Sequence, residues 1–190
     1  MISENAATAI RNLFEQSLRE HSTSGAEDQC LITTSAEAAP YETEGMHQVV
    51  VLNISSYAFR IVILFRFNED AATAAHLAKI SHGIGKALDG QALLDAYSEF
   101  VNLICGKVNR DLGKAIFHSG LSTPFFLEST CAQYLSVLKP TYTHLIEAVV
   151  NDNVNFSLTV CVCTAPDVSI DFQMDQSAKV ETTTGEMELF

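Results

Sequence analysis

Four residues in the middle of the chain have the types and the spacing to form a chemically active face. They follow one another at intervals of four, three and four positions and are Asp95, Glu99, Asn102 and Gly106. At about 100° per residue, this spacing places all four in one stripe along a helix. The apolar residues of the same segment gather on the other side: Leu93, Tyr97, Phe100, Val101, Ile104 and Val108. The segment is therefore predicted to be an amphipathic helix with two carboxylates and an amide on its outer face.

The composition of this stripe indicates close approach by another molecule. A solvated helix face usually carries Lys, Glu, Gln or Arg, whereas Asn costs a few tenths of a kcal/mol or more in a helix interior and Gly about 1 kcal/mol. Asn102 and Gly106 therefore weaken the helix without an evident local reason. Asp95 and Glu99 could also be paired carboxylates for acid–base catalysis, but no pocket that would raise either pKa is evident. An ordinary solvated helix face is the alternative interpretation.

The overall composition limits the class of protein. The chain has 190 residues, of which 47% are hydrophobic, and this is enough to build the core of one domain. Its net charge is −12, so phosphate backbones would be repelled and a nucleic-acid partner is not expected. An acidic surface could steer the protein toward a basic patch on a protein partner, or could simply keep it soluble.

Neither a membrane segment nor a metal site is expected. The sequence has no run of about 18 uncharged apolar residues. Residues 1–18 lack the basic start and the apolar block of a signal peptide, so the protein is expected in the cytoplasm. The five cysteines form no C-x-x-C pair, and the six histidines form no H-E-x-x-H motif. These patterns predict reduced cysteines, no structural metal and no cofactor of its own.

The order of the predicted elements indicates the fold class. Helices are predicted at residues 3–20, at residues 69–80 and from residue 90 to residue 107 or a little beyond, with Ser3, Asn68 and Asp89 as their N-caps. Strands are predicted where Val, Ile and Phe are concentrated, at residues 30–34, 48–54, 57–67, 125–128, 144–150, 156–164 and 168–172. Hairpins with helices grouped between them indicate an α+β fold, a mostly antiparallel sheet covered on one face by helices. Residues 1–173 are predicted to form a single domain, and residues 174–190 a flexible tail.

The stripe and its surroundings resemble a known protein family. Glu99 and Asn102 are followed by Gly106 and, 22 positions after Asn102, by Pro124, which opens a predicted strand. The local sequences SEFVNLICGKVNRDLG and GLSTPFFL are similar to those of the CheC/CheX/FliY phosphatases of bacterial chemotaxis, and to the CheX branch in particular. The resemblance extends more loosely from about Val49 to Val162, through paired strands, an alanine-rich helix, the stripe helix and a closing hairpin.

This resemblance implies a function and a partner. In the family, the helix face lies against the aspartyl-phosphate site of a phosphorylated, CheY-like response regulator. Asn102 would orient the attacking water, and Glu99 would pair with the regulator's active-site lysine. Asp95, Gly106 and Pro124 would belong to the partner-binding surface, where Gly106 removes a side chain that could block the approach. The regulator would supply its own Mg²⁺ ion, so this chain would need none.

Two features differ from the family's pattern. Two-site members repeat the Glu-x2-Asn motif on a second helix, but neither residues 69–80 nor residues 3–20 carry it. One site is therefore expected, as in the CheX branch. The segments 21–45 and 129–142 are long for that branch, which puts the edges of the sheet in question. CheX-like proteins form dimers through their sheet edges, and the resemblance implies a homodimer of this kind.

Other enzyme classes find no support in the motifs. The sequence has no G-x-S-x-G, Walker A or Rossmann pattern, and the G-I-G-K at residues 83–86 follows a helix rather than a strand. Two alternatives to a phosphatase remain. The first is a non-catalytic module that docks a response regulator or a motor protein through the same stripe. The second is a sensor that holds a small ligand in a strand–helix cleft.

Overall fold

The computed structural model describes residues 1–36, 48–82, 88–116 and 118–174. Its helices are α1 (Glu4–His21), α2 (Ala71–His82), α3 (Gly90–Leu112) and a 3-10 helix (Ser129–Leu138). Its strands are β1 (Cys30–Ser35), β2 (Gln48–Ser55), β3 (Phe59–Phe67), β4 (Gly120–Leu121), β5 (Phe125–Glu128), β6 (Tyr142–Val150) and β7 (Val154–Thr164). None of the helices in these ranges is long and apolar enough to cross a membrane.

The strands of the described residues form one antiparallel sheet. Their order is β1-β6-β7-β3-β2-β4, and β5 pairs with β2 beside β4. In the β6–β7 hairpin, Asn151 and Asp152 have positive φ angles of 49° and 60°, a conformation that Asn and Asp adopt more readily than most residues. The strands β3 and β7 pair along the whole length of β3, from Phe59 opposite Thr164 to Phe67 opposite Phe156. The predicted α+β class is therefore confirmed.

The helices α1, α2 and α3 cover one face of the sheet. The strand β3 shows why, because every second residue turns a large apolar side chain toward the helices; these are Phe59, Ile61, Ile63, Phe65 and Phe67. The helix α3 lies between α1 and α2, contacts both of them, and packs on β2. With neighbours on both sides and a sheet beneath it, α3 leaves only its outer face exposed.

The opposite face of the sheet is also partly covered. Here Val51 of β2 lies opposite Leu64 of β3, and both are buried together with Ala132 of the 3-10 helix in a second, smaller apolar cluster. The sequence predicted helices over one face only, whereas the 3-10 helical turn after Ser129 lies on the other face. The outward positions of the central strands are too apolar to remain in water, so this turn folds over them.

Several boundaries differ from the predictions. The Ser3 hydroxyl accepts a hydrogen bond from the Ala6 amide at 3.1 Å, as expected of an N-cap. The helix α2 begins at Ala71 rather than at Glu69, because the Asp70 carboxylate caps it by accepting from the Thr73 amide at 2.7 Å. The role predicted for Asn68 was therefore wrong.

The strand predicted at residues 168–172 was also wrong. Ile170 instead forms an isolated parallel bridge with Ile2. The Ile170 amide donates to the carbonyl of Met1 at 2.8 Å, and the Ser3 amide donates to the carbonyl of Ile170 at 2.9 Å. This segment therefore follows the start of the chain and does not join the sheet. Residues 37–47, the G-I-G-K at 83–86, and residues 175–190 of the predicted tail lie outside the described residues.

The side chain of Asp28 joins three segments of the fold. Its carboxylate accepts hydrogen bonds from the Ser24 hydroxyl at 2.6 Å and from the Asn151 side chain at 2.9 Å, and it forms an ion pair with Lys79 at 3.2 Å. These hydrogen bonds, that from Ser24 first, hold the pKa of Asp28 well below its usual range. The loop after α1, the β6–β7 turn and α2 are thus linked through one ionised group.

Stability should depend on the ionisation of Asp28. Because its pKa is lower in the folded state, Asp28 stabilises the fold fully above its unfolded pKa of about 4, and this contribution declines as the pH falls further. Asp28→Asn should therefore lower the melting temperature at pH 7, and the difference from wild type should shrink toward pH 3. Thermal melts of both proteins at the two pH values test this. An equal difference at both pH values would contradict it.

Candidate functional site

The helix α3 holds the predicted stripe on a rigid support. Its inner side is buried along its length; the buried residues are Ala96, Tyr97, Phe100, Val101, Ile104, Cys105, Val108 and Leu112. On one side it is tied to α1, because the buried Ser17 hydroxyl donates to the carbonyl of Ile104 at 3.0 Å. The helix begins at Gly90, as predicted, and runs on to Leu112, past the end predicted near Lys107.

Aromatic packing fixes the rotation of α3 about its axis. Phe100 is 2% exposed, and its ring lies 4.8 Å from the ring of Phe156 and 6.0 Å from that of Phe65. One turn earlier, Tyr97 stacks on Phe67 at 4.2 Å. Edge-to-face and stacked contacts of this kind depend on orientation as well as on distance. They therefore determine which residues α3 turns outward.

The outward residues are those that the spacing predicted. Asp95 and Glu99 are exposed, and Asn102 and Gly106 are partly exposed. Asp95 accepts a hydrogen bond from the Gln91 side chain at 2.8 Å, within the first turns of the helix. Among the described residues, neither the Glu99 carboxylate nor the Asn102 amide has a hydrogen-bond or ion-pair partner. Glu99 and Asn102, three residues apart on one face, are thus available to a group outside the molecule.

Gly106 has no packing role in the described part of the chain. A Cβ atom at this position would meet no described atom within 4 Å apart from its neighbours and the backbone of its own helix turn. A glycine in the interior of a helix weakens it by roughly 0.5–1 kcal/mol relative to alanine. The described residues give no reason for a glycine here, which fits a surface that another molecule approaches.

Both lysines near the end of α3 are engaged in ion pairs, whereas Arg110 has no ion-pair partner among the described residues. Lys107 lies 3.5 Å from Glu20 and 3.3 Å from Asp111, and Lys114 lies 2.7 Å from Asp111. Burial raises the pKa of Asp111, but hydrogen bonds from Lys114 and Lys107 outweigh it and hold that pKa below its usual value. The free carboxylate on the outer face next to Asn102 is therefore that of Glu99, and the exposed Arg110, one turn after Gly106, places a cation on the same face.

One exposed residue on this face received no role in the sequence analysis. Leu103 is 46% exposed, and at about 100° per residue it lies some 40° from Glu99 around the helix. The angular position was available from the sequence, but an isolated leucine beside a polar stripe gives no signal of its own. In the structure it is an exposed apolar side chain beside Glu99 and Gly106 on the helix surface.

Pro124 lies at the edge of the sheet and not on α3. It stands between β4 and β5, which both pair with β2. At this interruption the Ser122 amide donates to the carbonyl of Asn53 at 2.9 Å, and the Asn53 amide donates to the Ser122 hydroxyl at 2.9 Å. A proline has no amide hydrogen for the ladder, so an edge position suits it. The strand predicted after Pro124 is confirmed.

The described residues contain no group of three or more His, Cys, Asp or Glu side chains that could hold a metal ion. The five cysteines are free. The α2 sequence, AATAAHLAKISH, carries no second Glu-x2-Asn pair. The polar face of α3 is therefore the site on which the predicted chemistry would depend.

Solved structures share the architecture of this chain, although no protein-family model and no curated protein matches its sequence. The chemotaxis protein CheX from Vibrio vulnificus has a TM-score of 0.60 at 14% identity, over 80% of this chain and 98% of that one. A CheC-like superfamily protein from Shewanella sp. PV-4 has a TM-score of 0.54 at 8% identity, over 84% and 98%. This chain has a CheC/CheX-like fold.

A third solved structure has the CheC/CheX-like fold in a complex. It contains CheX, CheY, BeF₃ and Mg²⁺ from Borrelia burgdorferi, and it matches with a TM-score of 0.57 at 12% identity, over 82% of this chain and 96% of that one. The resemblance inferred from residues 95–124 is thus confirmed at the level of the fold. The roles of Glu99, Asn102, Asp95, Gly106 and Pro124 stay predictions, because identities this low establish a shared fold alone.

Proposed function

We propose that this protein is a phosphatase that docks on a phosphorylated, CheY-like response regulator and hydrolyses its aspartyl phosphate, in chemotaxis or related two-component signalling. The observation that carries the proposal is the pair Glu99 and Asn102. Both extend from the outer face of a firmly packed helix, neither has a partner among the described residues, and the next turn is open at Gly106. The fold that holds them is CheC/CheX-like.

The chemistry requires little from this chain beyond positioning. An aspartyl phosphate is an activated acyl phosphate, so placing a water in line with the breaking bond supplies most of the acceleration. The water oxygen bonds to phosphorus, the bond from phosphorus to the acyl oxygen breaks, and the regulator's carboxylate leaves. The Asn102 amide would orient that water by hydrogen bonding. Mg²⁺ bound to the regulator would neutralise the charge on the phosphoryl oxygens.

Glu99 would have a different part. A carboxylate that projects from α3, three residues before Asn102, can form an ion pair with a lysine beside the regulator's phosphorylation site. This contact would set the register of the two proteins and would hold Asn102 over the phosphoryl group. Asp95 would lie at the rim of the same interface, and Leu103 would add apolar contact area. The complex of CheX with CheY in Borrelia burgdorferi supports a partner of this type.

The lifetime of a phosphorylated regulator tests the proposal directly. A purified CheY-like response regulator is phosphorylated with acetyl phosphate, freed of the donor, and followed with and without the purified chain. The proposal requires the phosphorylated form to decay faster in the presence of the chain, at sub-stoichiometric amounts. A stable complex with an unchanged lifetime would identify the non-catalytic docking module instead. No complex and no change would contradict both.

Gly106→Ala should separate stability from activity. Alanine favours helix, and its Cβ has free space, so the free energy of unfolding should rise by about 0.5–1 kcal/mol. The same methyl group would stand between α3 and the regulator and should slow dephosphorylation about tenfold, equivalent to ~1.4 kcal/mol of docking energy. Urea unfolding and the lifetime assay measure the two effects. A more stable variant with full activity would remove Gly106 from the interface.

The proposal has two further parts, the location of the protein and its association state. We place the protein in the cytoplasm, where response regulators act, and we propose a homodimer through sheet edges. The strand β1 is an edge of the described sheet, and Leu31 on it is 66% exposed, which suits strand pairing between copies. Sedimentation over a wide concentration range measures the association state. A monomer at every concentration would refute the dimer without affecting the phosphatase.

A further inference from the structure

A cleft of about 580 Å³ opens between β2, β3 and the first turns of α2 and α3. Its apolar lining includes Val50, Phe67, Leu93, Leu94, Tyr97 and Phe126. Three carboxylates, those of Glu69, Asp70 and Asp89, line it as well, and all three residues are exposed. The volume is that of a small-molecule site, and an apolar lining with a few polar groups is the usual composition of one.

Two of these carboxylates have no structural use. Asp70 caps α2 through the Thr73 amide. Asp89 holds the N-cap position of α3 without making a side-chain capping hydrogen bond, and within the described ranges neither the Asp89 carboxylate nor the Glu69 carboxylate has a hydrogen-bond or ion-pair partner. The described residues that line the cleft include no Lys, Arg or His. In a chain of net charge −12, such an opening attracts cations.

The hydroxyl of Tyr97 gives the second, independent sign of a ligand. Tyr97 is only 4% exposed, and its buried oxygen has no hydrogen-bond partner in the described structure. Burial, together with the charges of Glu69 and Asp70, raises the pKa of Tyr97 to about 12. Tyr97 lines the cleft together with Glu69 and Asp70. An unpaired buried hydroxyl costs about 1–3 kcal/mol, and a ligand atom in the cleft could satisfy it.

We infer that this cleft binds a small organic cation, a protonated amine carried on an apolar body. The ammonium group would donate hydrogen bonds to Glu69 and Asp89, and to the Tyr97 oxygen once a small rotation of the ring exposes that oxygen to the cleft. The stacked rings of Phe67 and Tyr97 would add cation–π attraction, and the apolar body would fill the floor of the cleft. The carboxylates would repel an anion. No described side chains are grouped closely enough to hold a metal ion, so a charge on an organic body fits better than a bare ion.

The inference is independent of the proposed phosphatase activity. Its residues are at the start of α3 and on α2 and the sheet, and they do not include Glu99 or Asn102. Its test uses the purified chain alone, so a failure of the regulator assay and a failure of ligand binding are distinguishable. It specifies the ligand for the alternative function named in the sequence analysis, a sensor that holds a small ligand in a strand–helix cleft.

The probes are primary ammonium ions of increasing size, from butylamine to 2-phenylethylamine and tryptamine, each paired with the corresponding alcohol or neutral indole. Calorimetric titration at pH 7 and low salt should show at least one amine that binds about tenfold or more tightly than its neutral counterpart. The carboxylate 3-phenylpropionate should not bind. If every amine binds no better than its neutral counterpart, the inference is wrong.

Variants then locate the bound amine. Glu69→Gln and Asp89→Asn should each weaken it by about fivefold, the effect of one ion pair near the surface. Asp152→Asn is the matched control, because it removes one exposed carboxylate in the β6–β7 turn and should change the affinity less than twofold. Tyr97→Phe should raise the melting temperature of the free protein and reduce the further rise that the amine produces. Equal losses in Asp89→Asn and Asp152→Asn would mean that net charge, not the cleft, attracts the amine.

Discussion

Asn102→Ala should slow the dephosphorylation of the cognate regulator by about 100-fold or more, the usual cost of misplacing a reacting group. The side chain is partly exposed on the outer face of α3 and supports nothing inside the described structure. Its removal should therefore leave folding unchanged and take away only the group that orients the water. Most of the loss should appear in the maximal rate, because the water is positioned after docking.

Glu99→Ala should reduce activity in another way. If Glu99 pairs with a lysine of the regulator, its removal weakens docking, so the regulator concentration needed for half-maximal rate should rise more than the maximal rate falls. Single-turnover decay measured across a range of regulator concentrations separates the two quantities for both variants. Raised salt should weaken the wild type more than Glu99→Ala, because the variant has already lost the ion pair.

Matched controls exist on the opposite face of the sheet. Asn155→Ala and Glu147→Ala remove an exposed amide and an exposed carboxylate on β7 and β6, far from the outer face of α3. Both should retain wild-type activity. The assignment of the site would fail if Asn102→Ala and Glu99→Ala were as active as these controls. It would also fail if the two controls lost as much activity as Asn102→Ala and Glu99→Ala.

Phe100→Ala should lower the free energy of unfolding by about 3–5 kcal/mol, the range found for large buried aromatic residues. The ring is 2% exposed and contacts the rings of Phe65, Phe67 and Phe156, at centroid distances of 6.0, 6.1 and 4.8 Å. These neighbours come from two strands and cannot all move into the space left behind. Loss of this ring should therefore weaken the packing of α3 on the sheet as well as destabilise the whole chain.

Urea unfolding measures this effect, and the same helix provides the control. Leu103→Ala also removes a large apolar side chain from α3, but this one is 46% exposed. The free energy of unfolding should therefore change by no more than about 0.5 kcal/mol. Phe100→Leu should fold if Phe100→Ala does not, with a smaller loss. A change below about 1 kcal/mol in Phe100→Ala would mean that the ring is not part of a close-packed core.

The elements with strong local signals could be predicted from the sequence. The spacing of Phe100, Ile104 and Val108 gave the buried side of α3, and the alternation from Phe59 to Phe67 gave the core face of β3. Boundaries were less certain where two capping residues competed, as Asn68 and Asp70 do at the start of α2. The strand predicted at 168–172 had suitable residues, but its backbone hydrogen bonds go to Met1 and Ser3 instead. No local pattern reports such a long-range partner.

The sequence by itself determined that Asp95, Glu99, Asn102 and Gly106 share one face, because that follows from the period of a helix. It also determined the opposite, apolar face, since the same period applies to it. Only the tertiary structure decided that no described element covers the polar face, because α1 and α2 flank α3 and the sheet lies beneath it. The unpaired hydroxyl of Tyr97 and the acidic cleft beside it likewise depend on contacts between distant parts of the chain, and no local pattern encodes those.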